Sequence, residues 1–149
     1  ALGLICACDL AIAGTDATFC LSEVKLGLIP AVISPYVVAA MGRRQAMRWM
    51  LTAETFNAPT AAELGVVHHV VEPPALAGTT QAMARTLLRN GPQALGEVKR
   101  LLRDIADRPF GQELSLLTAE RIARIRVGQE AQEGMHAFLE KRDPAWRAY

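Results

Sequence analysis

Glu23 is the residue whose setting most suggests chemistry. It lies among Phe19, Leu21, Val24, Leu26 and Leu28, in the most charge-poor part of the chain. A carboxyl group with such neighbours is either paired with a cation or held away from water. Lys25, two residues on, would share the face of Glu23 in an extended segment and could pair with it. The rival reading is a desolvated carboxyl group available for general acid–base work. On these residues alone the two readings stand level.

The other reactive side chains carry weaker signals. Cys6 and Cys8 form a Cys-x-Cys pair, but Cys20 stands apart and the histidines lie elsewhere, so a zinc site lacks its remaining ligands. No metal site is expected, and the thiols read as buried and inert. Three cysteines, an odd number, do not make a disulfide framework and point to a reducing, cytoplasmic setting. His68 and His69 are adjacent in an expected strand, so they face opposite ways and cannot act as a pair. His136 falls on a charged helix, and a structural or surface role is expected for all three histidines. Arg43, Arg44 and Arg48 could hold an anion, although a solvated helix face is the plainer reading.

These residues must be positioned by a chain of 149 residues that is 51% hydrophobic with net charge +1. That composition excludes intrinsic disorder, and the balanced charge gives no field for nucleic acid or an anionic membrane. The apolar opening at residues 1–8 is far shorter than the roughly 20 residues that span a bilayer. It begins without a methionine or a polar lead-in, which suggests a fragment whose missing N-terminal part completes the core.

Charge is distributed unevenly. Residues 1–42 carry only Asp9, Asp16, Glu23 and Lys25, whereas residues 97–142 carry seventeen charged side chains. The first stretch therefore reads as buried backbone and the second as amphipathic helices. A helical turn and a strand are expected over residues 4–13, a second strand over 18–21, and a loop over 25–30. Helices follow over 31–41 and 43–51, divided by Gly42, and a short one runs from Pro59 to Gly65. Residues 66–71 read as a strand stopped by Pro73 and Pro74. Beyond them the spacing predicts four helices, with stripes such as Leu95, Val98, Leu101, Leu102 and Ile105, and Ala131, Met135, Phe138 and Leu139. The expected architecture is an α/β part at residues 1–74 and a helical subdomain at 75–149.

The stretch ALGLICACDLAIAGTDATFCLSEVKLGLIP resembles the crotonase superfamily, the enoyl-CoA hydratase/isomerase group. The likeness continues through LTAETFNAPTAAELGVVHHVV, NGPQALGEVKRLL and EGMHAFLEKRDPAW, and so covers essentially the whole chain. The resemblance implies the C-terminal part of a crotonase-like ββα spiral, followed by a helical subdomain through which copies assemble as a trimer or a dimer of trimers. It implies an acyl-CoA thioester as substrate, with no cofactor besides, and a run of glycines just before residue 1 that completes the oxyanion hole.

Carried over by position, the resemblance makes Glu23 the acid/base. It places Ala1, Leu2 and Gly3 beside the thioester, Pro30 and Ala31 along the acyl pocket, and Lys141 near the coenzyme A nucleotide. An exposed helix-end lysine is an equal reading of Lys141. Hydratases of this group usually carry a second glutamate where this chain has Gly3, and residues 31–38 (AVISPYVV) replace a glycine-rich turn. The expected activity is hydration of a 2-enoyl-CoA, with Gly3, Ser22-Glu23 and AVISP closest to the methylglutaconyl and carboxygeranoyl branch and its branched, carboxylated substrates. The isolated chain is expected to be inactive. Isomerisation of the double bond by Glu23, or a non-catalytic oligomerisation module, are the alternatives.

Overall fold

The computed structural model describes residues 1–147, which divide into two compact units between residues 81 and 82. The first unit is mixed α/β. Helix α1 (Leu2–Ala7) opens it with no side-chain cap and turns extended at Cys8. Strand β1 (Ile12–Gly14) then pairs in parallel with β4 (His69–Val71), in the register Ile12 to His69, Ala13 to Val70 and Gly14 to Val71. Parallel neighbours need a long crossover, and here the crossover contains every element between them. Strand β2 (Thr18–Phe19) pairs antiparallel with β3 (Phe56–Asn57), which stacks Phe19 on Phe56 with ring centroids 5.5 Å apart.

Helix α2 (Ser34–Thr52) runs through the core and buries Val37, Met41, Ala46 and Trp49. Gly42 interrupts it with φ 76° and ψ 154°, at the break expected from the sequence. That conformation is open to glycine at little cost, so the two helical pieces can present different faces to one core. Helix α3 (Ala58–Glu63) is capped by Asn57, whose side chain accepts the Thr60 N–H at 3.0 Å, and Pro59 occupies its first turn. Gly65 ends this segment with φ 78°, and a Cβ there would meet the Ala40 carbonyl oxygen at 2.9 Å.

The strands are shorter than the sequence suggests. The second stops at Phe19, and residues 66–68 stand outside β4. Val66 and Val67 are nonetheless buried, so their β-branched apolar character serves the core rather than a ladder. His68 is therefore not a strand residue: its Nδ1 accepts the Ala11 N–H at 3.1 Å while its own N–H donates to the Ala11 carbonyl at 2.8 Å. The structural role expected for His68 is the one observed.

Helix α4 (Leu76–Leu88) precedes the three helices of the second unit: α5 (Pro92–Ile105), α6 (Gln112–Arg126) and α7 (Gln129–Leu139). Glu130 caps α5 by accepting the Gln93 and Ala94 N–H groups at 2.9 and 2.8 Å. After α7 the chain is clasped by Glu133. Its carboxylate accepts both terminal nitrogens of Arg142 at 2.6 and 2.9 Å and the Ala145 N–H at 2.8 Å. Trp146 Nε1 and Arg147 Nε then donate to the Arg89 carbonyl at 3.3 and 2.9 Å.

Candidate active site

The segment that carries Glu23 is held from both ends. Leu21 is only 1% exposed and fixes the chain just before it. Residues 23–26 then form a 3-10 turn (Glu23–Leu26), closed by Gly27 in the left-handed region at φ 70°. The Leu28 N–H returns to the Glu23 carbonyl and the Gly27 N–H to the Val24 carbonyl, each at 3.1 Å. Glycine is the natural residue at such a closure.

This geometry corrects the expected pairing of Glu23 with Lys25. At three residues per turn, positions two apart point about 120° away from each other. Among the described residues no ion pair joins them, and Lys25 is exposed. Glu23 is half-buried instead, and its Oε2 is shielded from solvent with no hydrogen-bond partner among the described residues. An acceptor atom left so is costly unless it has work to do.

The other candidates fall in three places. Ala1 is exposed and caps α1 through its backbone: its carbonyl accepts the Leu4 and Ile5 N–H groups at 3.0 and 3.2 Å. Leu2 and Gly3 are buried in the first turn, where backbone N–H groups have no intrahelical acceptor. Gly3 is covered by Ile33: a Cβ at Gly3 would lie 2.8 Å from the Ile33 Cβ and closer still to its Cγ2. Pro30 is half-buried and Ala31 exposed in the turn that leads to Ile33 and α2, and the Ser34 hydroxyl donates to the Ala31 carbonyl at 3.0 Å. Both α1 and the Glu23 turn pack on α2, which thus backs the two parts of the site. Lys141 belongs to the second unit, exposed after α7, with its backbone at φ 54°.

Ile33 was not among the residues that the sequence singles out. No local pattern marks it, because its partner is thirty positions away. The stretch around it gives one clue: residues 26–42 contain no charged residue, yet Leu26, Leu28, Ile29 and Val32 are exposed, the last by 86%. An uncharged, open apolar ledge directly after a half-buried carboxylate suits the hydrocarbon part of a ligand.

The sequence suggests buried thiols, but Cys6 and Cys20 are half-buried and Cys8 is exposed, because the chain turns extended there as α1 ends. The Cys20 thiol donates to the Ala53 carbonyl at 3.4 Å, and burial raises the Cys6 thiol above its ordinary range. No cluster of metal-ligating side chains forms among the described residues. Arg48 is engaged with Glu54 at 3.4 Å and lies 4.4 Å over the Trp49 ring. A cavity of about 860 Å³ in the second unit is lined by Glu97, Arg100, Met135, Phe138 and Trp146 among others, and contains none of the candidate site residues.

Comparison with known proteins gives this arrangement its relatives. Residues 2–148 match the family model described as enoyl-CoA hydratase/isomerase. A solved enoyl-CoA hydratase from Shewanella pealeana is 54% identical, with a TM-score of 0.93, over 97% of this chain and 54% of its own. AtuE of Pseudomonas aeruginosa is 38% identical, with a TM-score of 0.89, over 97% of this chain and 56% of its own. The hydroxycinnamoyl-CoA hydratase-lyase of Pseudomonas fluorescens is 33% identical over 150 residues, which are 96% of this chain and 54% of that protein. The chain thus spans about half the length of the relatives it matches. With its crotonase-like α/β fold, it belongs to the enoyl-CoA hydratase/isomerase family.

Proposed function

We propose that the protein containing this chain adds water across the 2,3 double bond of an enoyl-CoA thioester, and that Glu23 is the group that moves the proton. The observation that carries this reading is the Glu23 carboxylate itself, half-buried with an inaccessible, unpartnered oxygen beside an uncharged ledge. Water adds at the β carbon, and the electrons of the double bond pass to the thioester oxygen as an enolate. The Glu23 carboxylate takes the proton that the water gives up and delivers it to the α carbon, which completes the addition and restores the carboxylate. Ala1, Leu2 and Gly3, at the start of α1, lie beside the thioester, and the helix end there favours the negative oxygen. The two N–H donors that clamp the oxygen come from sequence outside this chain, so the chain by itself is inactive. Pro30 and Ala31 line the acyl end, Lys141 meets the coenzyme A nucleotide, and the acyl group is a branched, carboxylated one. Copies assemble as a trimer or a dimer of trimers through the helical unit, in the cytoplasm.

One observation favours a second reading. With Gly3 where the resemblance puts a second glutamate, this chain brings one carboxylate to the proposed site, and migration of a double bond needs only one proton-transfer group. The two reactions separate in the spectrophotometer. Given a 2-enoyl-CoA, a hydratase removes the conjugated absorbance. Given a 3-enoyl-CoA, an isomerase creates it. Loss of absorbance with the 2-enoyl thioester is the expected result; no change with it, and a gain with the 3-enoyl thioester, would replace the hydratase by an isomerase.

A further inference from the structure

We infer that Ile33 is the positioning residue of this site: its side chain, seated on the bare backbone of Gly3, sets how far the Glu23 segment stands from the first turn of α1. This rests on Glu23 being the acid/base. Residues 22–32 run between two fixed points. The first is Leu21, sealed in the core. The second is Ile33, held through its backbone by the Val37 N–H at 3.0 Å and next to Ser34, whose N–H donates to the Pro30 carbonyl at 2.9 Å. Between these points Leu26, Leu28, Ile29 and Val32 are exposed and give the segment no packing of their own. The Glu23 turn packs on α2, whose N-cap is Ile33, and Ile33 meets α1 at Gly3 in its first turn, so this contact ties the place of the Glu23 turn to that of α1. Gly3 is the complementary half of the contact, because any side chain there would collide with Ile33 and push the 30–33 turn outward.

Proton transfer is sensitive to such displacement, whereas binding of the coenzyme A moiety makes no use of Ile33. In the protein as encoded, assayed on a 2-enoyl-CoA thioester, Ile33→Ala, Ile33→Gly and Gly3→Ala should each lower kcat about tenfold, with KM nearly unchanged for the Ile33 variants. Ile33→Val, which keeps the β-branched contact, should retain most of the turnover that Ile33→Ala loses. Combining Gly3→Ala with Ile33→Gly exchanges the two partners, removing the Ile33 Cβ that would stand 2.8 Å from the new methyl group, and should recover kcat to within about threefold of the unaltered protein, a strongly non-additive result. Thermal unfolding followed beside the kinetics separates misplacement from misfolding. If Gly3→Ala alone does not fold, the folded double variant decides. Single variants with full kcat, or a double variant worse than either, would overturn the role of Ile33. Glu23→Gln, run in parallel, keeps the two levels apart. Full turnover there overturns the acid/base assignment itself, whereas its loss alongside an unimpaired Ile33→Ala overturns only the positioning role.

Discussion

Glu23 owes its setting to its neighbours rather than to any partner. Leu21 is buried before it and the chain closes on Gly27 after it, so the carboxylate is carried into a half-buried place with no ion-pair partner among the described residues. The apolar neighbourhood was readable from the sequence. The turn was not, because the alternation of Glu23 and Lys25 fits an extended segment equally well, and only the closure at Gly27 turns them apart. Glu133 is the opposite case. Arg142 above all, and then the Ala145 N–H, hold its carboxyl well below the ordinary value of 4.5, down to about 2. A carboxyl group so lowered contributes stability that is complete above its unfolded-state value and is lost as pH falls toward the folded value. Thermal melts of the protein should therefore weaken between about pH 4.5 and pH 2, and Glu133→Gln should flatten that part of the profile. An unchanged acid limb in the variant would remove Glu133 from the account.

The elements are held by ends and turns as much as by ladders. Gly65 meets α2 at Ala40 with a positive φ, so Gly65→Ala combines backbone strain with a clash against a carbonyl. It should cost about 1–3 kcal/mol in a denaturant titration, and a neutral result would mean that the α3 exit is free to move. Lys141 sits where helices favour glycine: the Arg142 N–H reaches the Ala137 carbonyl at 3.0 Å and the Lys141 N–H the Phe138 carbonyl at 3.3 Å, around a residue at φ 54°. Retaining lysine there costs about 1 kcal/mol against glycine. Lys141→Gly should thus stabilise the protein, while weakening coenzyme A binding if the lysine meets the nucleotide as proposed. Stabilisation with unchanged affinity would return Lys141 to a plain helix end.

The elements also show how far periodicity reaches. Gly42 as a helix break, Pro59 as a helix start and the order of the C-terminal helices were all legible, because each depends on residues within one or two turns. The lengths of β2 and β4 were not. Val66 and Val67 have strand-like side chains, but their burial is decided by packing beyond any local pattern. The Gly3–Ile33 contact was hidden for the same reason, since an isoleucine before a helix looks the same whether it covers a glycine or not.

At the scale of the whole molecule, the second unit leaves its apolar stripes largely open. Val98, Leu102, Ile122, Phe138 and Leu139 are all exposed, Phe138 by 82%. Faces of this kind in one chain call for burial against another surface. If copies assemble through these helices, Phe138→Glu should lower the light-scattering mass of the encoded protein to that of a single copy, and an unchanged mass would place assembly elsewhere. The family and the α/β fold follow from the whole chain. The chemistry rests on one side chain, and its most direct test is Glu23→Gln in the encoded protein with a 2-enoyl-CoA thioester. The account predicts a fall in kcat of about a hundredfold or more, with KM little changed, because the amide keeps the shape of the acid but cannot deliver its proton. Turnover equal to that of the unaltered protein would contradict it.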